Sequence, residues 1–229
     1  MVLIENLISS MKADSFDDAL SNALPIFDSK KNEIGKLIPI GNWILTDKKK
    51  IENLSTWRQK NMKFFFSRFN SSCKRTLWYI KNLSIEQNNR IFFLIYANND
   101  KLIGHIGLAE IEKNFATMDN MVRGEEGGDP KLMYYSMIAI INWSFKILNI
   151  ENLYGKIISY NWLTIFLYEE ISFKIIERIP LKKIEENGEI NHKDVNSSES
   201  NVRYFCTKVF LKKKDFYKLL GKKYLNKKS

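Results

Sequence analysis

Residues 131–148, KLMYYSMIAIINWSFKIL, are apolar on nearly every side of a helix, and no other segment constrains the chain as strongly. A surface helix buries one stripe, so a helix without a polar face has to be covered almost all round. No apolar run in the chain has the length that a bilayer span needs, which leaves a β-sheet as the cover. Strand patterns stand on both sides of it. Residues 90–97 (RIFFLIYA) form a compact apolar run, NND makes a tight turn, and residues 102–112 (LIGHIGLAEIE) supply an antiparallel partner. Residues 115–122 read as a third strand. Residues 153–159 read as a strand, 161–170 as a helix, and 173–184 and 202–211 as a last strand pair around a polar loop rich in Asn, Ser and Glu. Earlier, 36–40 and 43–46 read as short strands, Ser55 opens a helix over 56–69, and a second helix covers 74–83. Two helices, a meander, then strand–helix–strand–helix–strand define an α/β class with a mixed, mostly antiparallel sheet and helices on both faces.

With 229 residues the chain predicts one domain with elaborations rather than two domains. Residues 1–35 mix apolar and acidic positions and thin into DSKKNEIG, which predicts a helical extension and a linker. The main domain is expected over 36–212, with a basic tail over 213–229. The N-terminus lacks a basic start and a small-residue cleavage site, so no secretory leader is expected and the protein is expected to be cytoplasmic. Cys73 and Cys206 lie too far apart in sequence to suggest a disulfide framework, and two histidines with no Cys/His spacing predict no metal. The formal charge of +10 fits a solvated basic surface or anionic small ligands. No nucleic-acid signature accompanies it, so neither nucleic acid nor membrane is expected as a partner.

Two motifs carry chemistry. RGEEGGDP, residues 123–130, leads directly into the apolar helix. Gly127 and Gly128 permit close backbone approach, Asp129 caps, and Pro130 suits the first helical position, so main-chain N–H groups and the helix N-terminus form an anion cradle. NWLTIFLYEEISF, residues 161–173, sets Tyr168 seven residues after Asn161; two helical turns put both on one face.

The order of these parts resembles the GNAT N-acyltransferase superfamily, over roughly residues 37–212. The pattern N-x-x-A/S-x-x-x-Y-x-x-x-G-F is met by Asn161, Thr164, Tyr168, Ser172 and Phe173, with Thr and Ser as departures. The loop Arg/Gln-x-x-Gly-x-Gly/Ala is met by Arg123 and Gly128, with Glu126 at the middle glycine. The resemblance implies a splayed strand pair that admits pantetheine, with acetyl-CoA or another short acyl-CoA as donor. It implies cofactor contacts from Met121, Val122, Arg123, Gly124, Gly127, Gly128, Asp129 and Asn161. It also implies direct acyl transfer to an amine, with Tyr168 protonating the leaving thiolate. Asp119 is the first candidate for the base, ahead of Glu125 and His105.

LSTWRQKN (residues 54–61) and the IGHIGL strand (103–108) resemble a subgroup that acylates amino groups of nucleotide-linked sugars for surface glycans. This implies Trp57, Arg58, His105, Asn120 and Glu125 on the acceptor side, where Arg pairs with phosphate and an aromatic stacks on a ring. A dTDP- or UDP-linked amino-sugar is the expected partner, and a homodimer is plausible from the C-terminal strands. The alternatives are a protein N-terminus or lysine as acceptor, or a non-catalytic binding module on the same fold.

Overall fold

The computed structural model describes residues 2–221. In chain order the elements are α1 (Val2–Met11), α2 (Phe16–Ser21), β1 (Leu24–Phe27), β2 (Glu33–Pro39), α3 (Lys48–Lys60) and β3 (Ser67–Arg68). Then come α4 (Cys73–Tyr79), β4 (Ile91–Ala97), β5 (Leu102–Ala109), β6 (Phe115–Arg123), α5 (Leu132–Lys146) and β7 (Asn152–Ile158). The chain continues with α6 (Trp162–Glu170), β8 (Lys174–Glu186), β9 (Glu189–Asp194), β10 (Phe205–Lys212) and α7 (Lys213–Leu220). The strands form one sheet in the order β1-β2-β4-β5-β6-β7-β10-β8-β9-β3, antiparallel except for the β6–β7 pair. This is the mixed α/β architecture that the apolar helix demands.

β4 explains why the sheet must be covered on both faces. Every one of its residues is buried, so it lacks the in–out alternation of a half-exposed strand. Ile91, Phe93 and Ile95 enter one core together with α5 (Met137, Ile140, Ile141) and with Ile8 of α1. Phe92, Leu94 and Tyr96 face the opposite core with Leu54 and Trp57 of α3. α5 packs against β1, β2 and β5. Its two buried serine hydroxyls are satisfied within the helix, Ser136 donating to the Leu132 carbonyl and Ser144 to that of Ile141.

Several local expectations change. The polar stretch after residue 27 is a hairpin turn, in which Asp28 Oδ1 accepts from the Lys30 and Asn32 amides at 2.7 and 2.9 Å. β1 and β2 join the main sheet, and Ile8 and Ile26 are wholly buried in the same core as Ile95. Residues 42–46 form a 3-10 helix, not a strand. α3 begins at Lys48 because Asp47 caps it, its carboxylate accepting from the Lys50 amide at 3.0 Å. Ser55, expected to open this helix, lies buried inside it and bonds Ser71. The helix stops at Lys60, and three consecutive phenylalanines (64, 65, 66) leave it for β3. At the other end, residues 213–220 form α7, which buries Phe216 edge-on to Phe145 at 5.6 Å. The rest of the expected basic tail, 222–229, lies outside the described residues.

Candidate active site

β6 and β7 pair only at their beginnings, from Phe115↔Asn152 to Thr117↔Tyr154. Two features drive them apart. β10 takes the far edge of β7 along its whole length, from Lys212↔Asn152 to Cys206↔Ile158. β6 meanwhile follows β5 through a bulge: His105 pairs with Val122 and Gly107 with Asp119, so Asn120 and Met121 together oppose Ile106. Asn120 sits at φ 48°. Such an extra residue bends its strand and re-aims its side chains. The gap is a cleft of about 370 Å³, lined by residues 118–123 on one side and by Ile157, Asn161, Thr164, Leu167 and Tyr168 on the other.

Arg123, the first residue of the glycine loop, and Met133, in the first turn of α5, line this cleft on either side of the loop. The Gly124 and Glu125 amides both donate to the Ile103 carbonyl, at 2.8 and 2.9 Å. The Arg123 guanidinium donates to the Gly127 carbonyl at 2.7 Å. Gly127 and Gly128 take positive φ, 111° and 67°, a conformation that suits glycine. Asp129 closes the turn, its carboxylate accepting from the Lys131 amide at 2.7 Å. Among the described residues the Glu126, Gly127 and Gly128 amides have no acceptor. Successive free N–H groups before a helix suit a pyrophosphate.

Trp57 is the bed of this loop. A Cβ on Gly124 would fall 1.9 Å from the Trp57 ring, so only glycine fits there. Glu125 turns back to accept from Trp57 Nε1 at 3.0 Å. This accounts for one of the two glutamates in RGEEGGDP: Glu125 faces the indole, while Glu126 is exposed.

On the α6 side Asn161 occupies the helix N-cap, and its side chain makes no capping bond. Tyr168 is buried and reaches the cleft. Its ring lies on Gly155, where a Cβ would come within 2.8 Å, and edge-on to Phe173 at 4.7 Å. Burial, with Asp119 nearby, pushes its hydroxyl well above the ordinary phenol range.

Asp119 stands on the β6 floor of the cleft with 30% of its side chain exposed. Burial pushes its carboxyl up, against the opposing pull of Arg90 at 3.3 Å. Asn120 Nδ2 donates to it at 2.9 Å.

The remaining sequence candidates are placed differently. Trp57, expected over the acceptor, is 1% exposed and presents no free face. His105 is buried between Trp57 and Phe92, with ring centroids 6.2 and 4.8 Å away, and burial pulls it down to about 4. Neither lines the cleft. Arg58 stacks on Phe65 at 3.4 Å, and its guanidinium donates to the Ser67 carbonyl. Cys73 is exposed on α4 and Cys206 is buried in β10; neither lines the cleft.

A further wall was missed from sequence. Asn61, Phe64, Phe65 and Phe66 line the cleft opposite β6, and Lys156 of β7 joins them. β3 holds this wall by pairing with β9, Ser67↔Asn191 and Arg68↔Ile190. His192 reinforces it, its Nδ1 lying 2.7 Å from the Phe66 carbonyl and its Nε2 2.7 Å from the Tyr204 hydroxyl. The polar loop of the sequence hides β9, whose alternation is masked by charge, so nothing local signalled the pairing.

Residues 45–195 match the Acetyltransferase (GNAT) domain family. No curated protein sequence matches the chain. Among solved structures, the spermidine/spermine N-acetyltransferase SpeG from Vibrio cholerae superposes with a TM-score of 0.57 at 17% identity, covering 82% of this chain and 98% of that one. The Campylobacter jejuni N-acetyltransferase PseH in complex with acetyl coenzyme A gives 0.51 at 18% identity, covering 79% and 99%. V. cholerae spermidine N-acetyltransferase with CoA and spermine gives 0.56 at 20%, covering 75% and 92%. With a family match over most of its length, a splayed β6–β7 pair and a glycine cradle at the head of α5, the chain belongs to the GNAT acetyltransferase family and is an acyl-CoA-dependent N-acyltransferase.

Proposed function

We propose that the acceptor is the amino group of a nucleotide-linked sugar, a dTDP- or UDP-linked amino-sugar, and that the acyl group is acetyl or a short hydroxyacyl. The observation that carries this is the makeup of the acceptor wall. Phe64, Phe65 and Phe66 line it, Arg58 lies against Phe65 and Phe69, Arg75 lies 4.0 Å over Phe69, and Arg123 and Lys156 border the cleft. Among the described residues Asp119 is the one carboxylate lining the cleft, and Arg90 stands against it. Aromatic faces with guanidinium and ammonium groups suit a ring-bearing anion. A polyamine, the kind of acceptor for which the SpeG neighbour is named, would meet cations in this cleft and little negative charge.

The chain's groups divide the reaction as follows. The Glu126, Gly127 and Gly128 amides hold the donor's pyrophosphate, and Asn161 offers its free amide to the pantetheine. The backbone at the β6 bulge polarises the thioester carbonyl. Asp119, directly or through ordered water, takes the proton that the amine loses on attack; its raised pKa makes it a stronger base than an exposed carboxylate. Tyr168 keeps its proton across the neutral range and donates to the departing sulfur. A thiol titrates near about 8.5, below Tyr168, so stabilising the thiolate by a hydrogen bond precedes any full transfer.

Thiol release from acetyl-CoA is measured against a panel of dTDP- and UDP-linked amino-sugars, spermidine and a peptide amine. Turnover of one sugar supports the proposal. Turnover of spermidine or peptide alone rejects it while leaving the acyltransferase assignment in place.

A further inference from the structure

A connected cluster of buried and half-buried polar groups borders the cleft floor. Asn120, the bulge residue, has a non-glycine positive φ of 48°, and such a conformation persists only where its surroundings over-determine it. Three hydrogen bonds do so. Its carbonyl accepts from His105 Nδ1 at 2.6 Å. Its side-chain amide donates to the Tyr79 hydroxyl at 2.6 Å and to Asp119 Oδ2 at 2.9 Å. Both amide hydrogens are therefore used. The Tyr79 oxygen also accepts from Arg90 Nη1 at 2.7 Å, and that same nitrogen faces Asp119 at 3.3 Å.

The two fasteners are themselves immobile. His105 is clamped between Trp57 and Phe92 and is neutral at ordinary pH, so with a carbonyl as partner its proton resides on Nδ1. Tyr79 ends α4 where the helix widens into a π-helical turn, Ile80–Ile85. Such turns re-aim a side chain and recur at functional sites. Neither residue lines the cleft. The strand they hold does, and Asp119 and Met121 flank Asn120 on its floor.

We propose that Tyr79 and His105 are positioning residues for acyl transfer: from outside the cleft lining they lock the β6 bulge in the shape that receives the thioester carbonyl. This rests on the acyltransferase reading of the cleft and is independent of which amine is the acceptor. The glycine loop that holds the pyrophosphate is fastened through Ile103, Arg123 and Trp57, none of them bonded to Tyr79, and His105 meets this fastening only as a ring packed on Trp57. Loosening the bulge therefore affects the carbonyl and spares the rest of the donor.

The test compares calorimetric affinities for CoA and for acetyl-dethia-CoA, the ketone isostere in which a methylene replaces the sulfur, so that the carbonyl stands in the thioester position but cannot be transferred. It uses the full chain and the variants Tyr79→Phe, His105→Phe and His105→Asn, the last keeping an N–H near the Nδ1 position. Thiol release from acetyl-CoA is followed in parallel, with any amine that is turned over or with water alone. In Tyr79→Phe and His105→Phe, CoA affinity stays within about twofold while kcat and acetyl-dethia-CoA affinity drop about 10- to 100-fold, as for a small misplacement of reacting groups. His105→Asn recovers much of the loss. Wild-type kcat and acetyl-dethia-CoA affinity in Tyr79→Phe overturn the proposal, and that variant carries the test if His105→Phe does not fold. A parallel fall for both ligands also overturns it, as mere loosening. A wild-type protein that binds neither ligand overturns the acyltransferase reading itself.

Discussion

In the proposed site the groups offered to the donor are main-chain amides of one short loop beside α5, whereas those offered to the acceptor are side chains drawn from distant parts of the chain. The donor loop needs glycines where the backbone turns and a tryptophan bed beneath it, and nothing else about its side chains matters much. The acceptor wall depends on phenylalanines at 64–66 being held by His192, 126 residues from Phe66. A common donor is met by backbone geometry, which tolerates sequence change. The acceptor is met by side chains, which a family can exchange without disturbing the donor site.

The first way to break this contrast is at Gly124. Gly124→Val places atoms within the Trp57 ring, and the loop must shift, at a cost of about 1–3 kcal/mol or more for such overpacking. Acyl-CoA affinity measured by calorimetry falls about 100-fold. Intact donor affinity would show that Trp57 is not the bed of the loop.

Tyr168→Phe comes next. Loss of a group that donates to the leaving sulfur lowers kcat about 100-fold with little change in the KM for acetyl-CoA. Because burial holds the Tyr168 proton well above the usual range, wild-type kcat shows no loss of the acid between pH 7 and 9. A wild-type kcat in the phenylalanine variant removes Tyr168 from the chemistry.

The acceptor wall is probed by Phe65→Ala. It raises the acceptor KM about tenfold, as loss of an aromatic contact does, and leaves the acetyl-CoA KM unchanged. Equal changes in both constants would mean that the two walls are not separable.

His105 links the regions and predicts a pH dependence of stability. Its folded pKa of about 4 lies below the usual 6.5, so the unfolded chain binds more protons between these values. Stability therefore rises with pH across that window and is lost as pH falls through it, by roughly 3 kcal/mol. Urea unfolding at pH 4.5 and 7.5 measures it, and His105→Asn abolishes that part of the difference.

The smallest effect belongs to Arg75 and Glu189, an exposed ion pair 2.6 Å apart that ties α4 to β9. Glu189→Gln changes the acceptor KM less than about threefold, in line with the small worth of surface pairs. A larger change would mark this pair as part of the acceptor site.

Legibility followed the same division. The apolar helix, the β4–β5 hairpin, the glycine loop and the Asn161–Tyr168 spacing were readable because each depends on neighbours within a few residues. The break in the helix after Lys60 was not, since local propensity favours neither outcome and β9 decides it through β3. Trp57 illustrates the limit. Its type and position near Arg58 suggested a stacking surface, but Gly124, 67 positions later, packs directly on the ring. Neither Tyr79 nor Arg90 was a site candidate, because their contacts exist only where α4 meets the β6 bulge.

The sequence by itself determined the class of fold and the glycine turn before α5, because hydrophobic periodicity and glycine placement act through short-range sterics and burial. Only the tertiary structure decided how the strands splay, which aromatic residues face the cleft and which are buried beneath it. Those outcomes depend on long-range pairing, and a side chain's exposure is set by whatever packs on it from elsewhere in the chain.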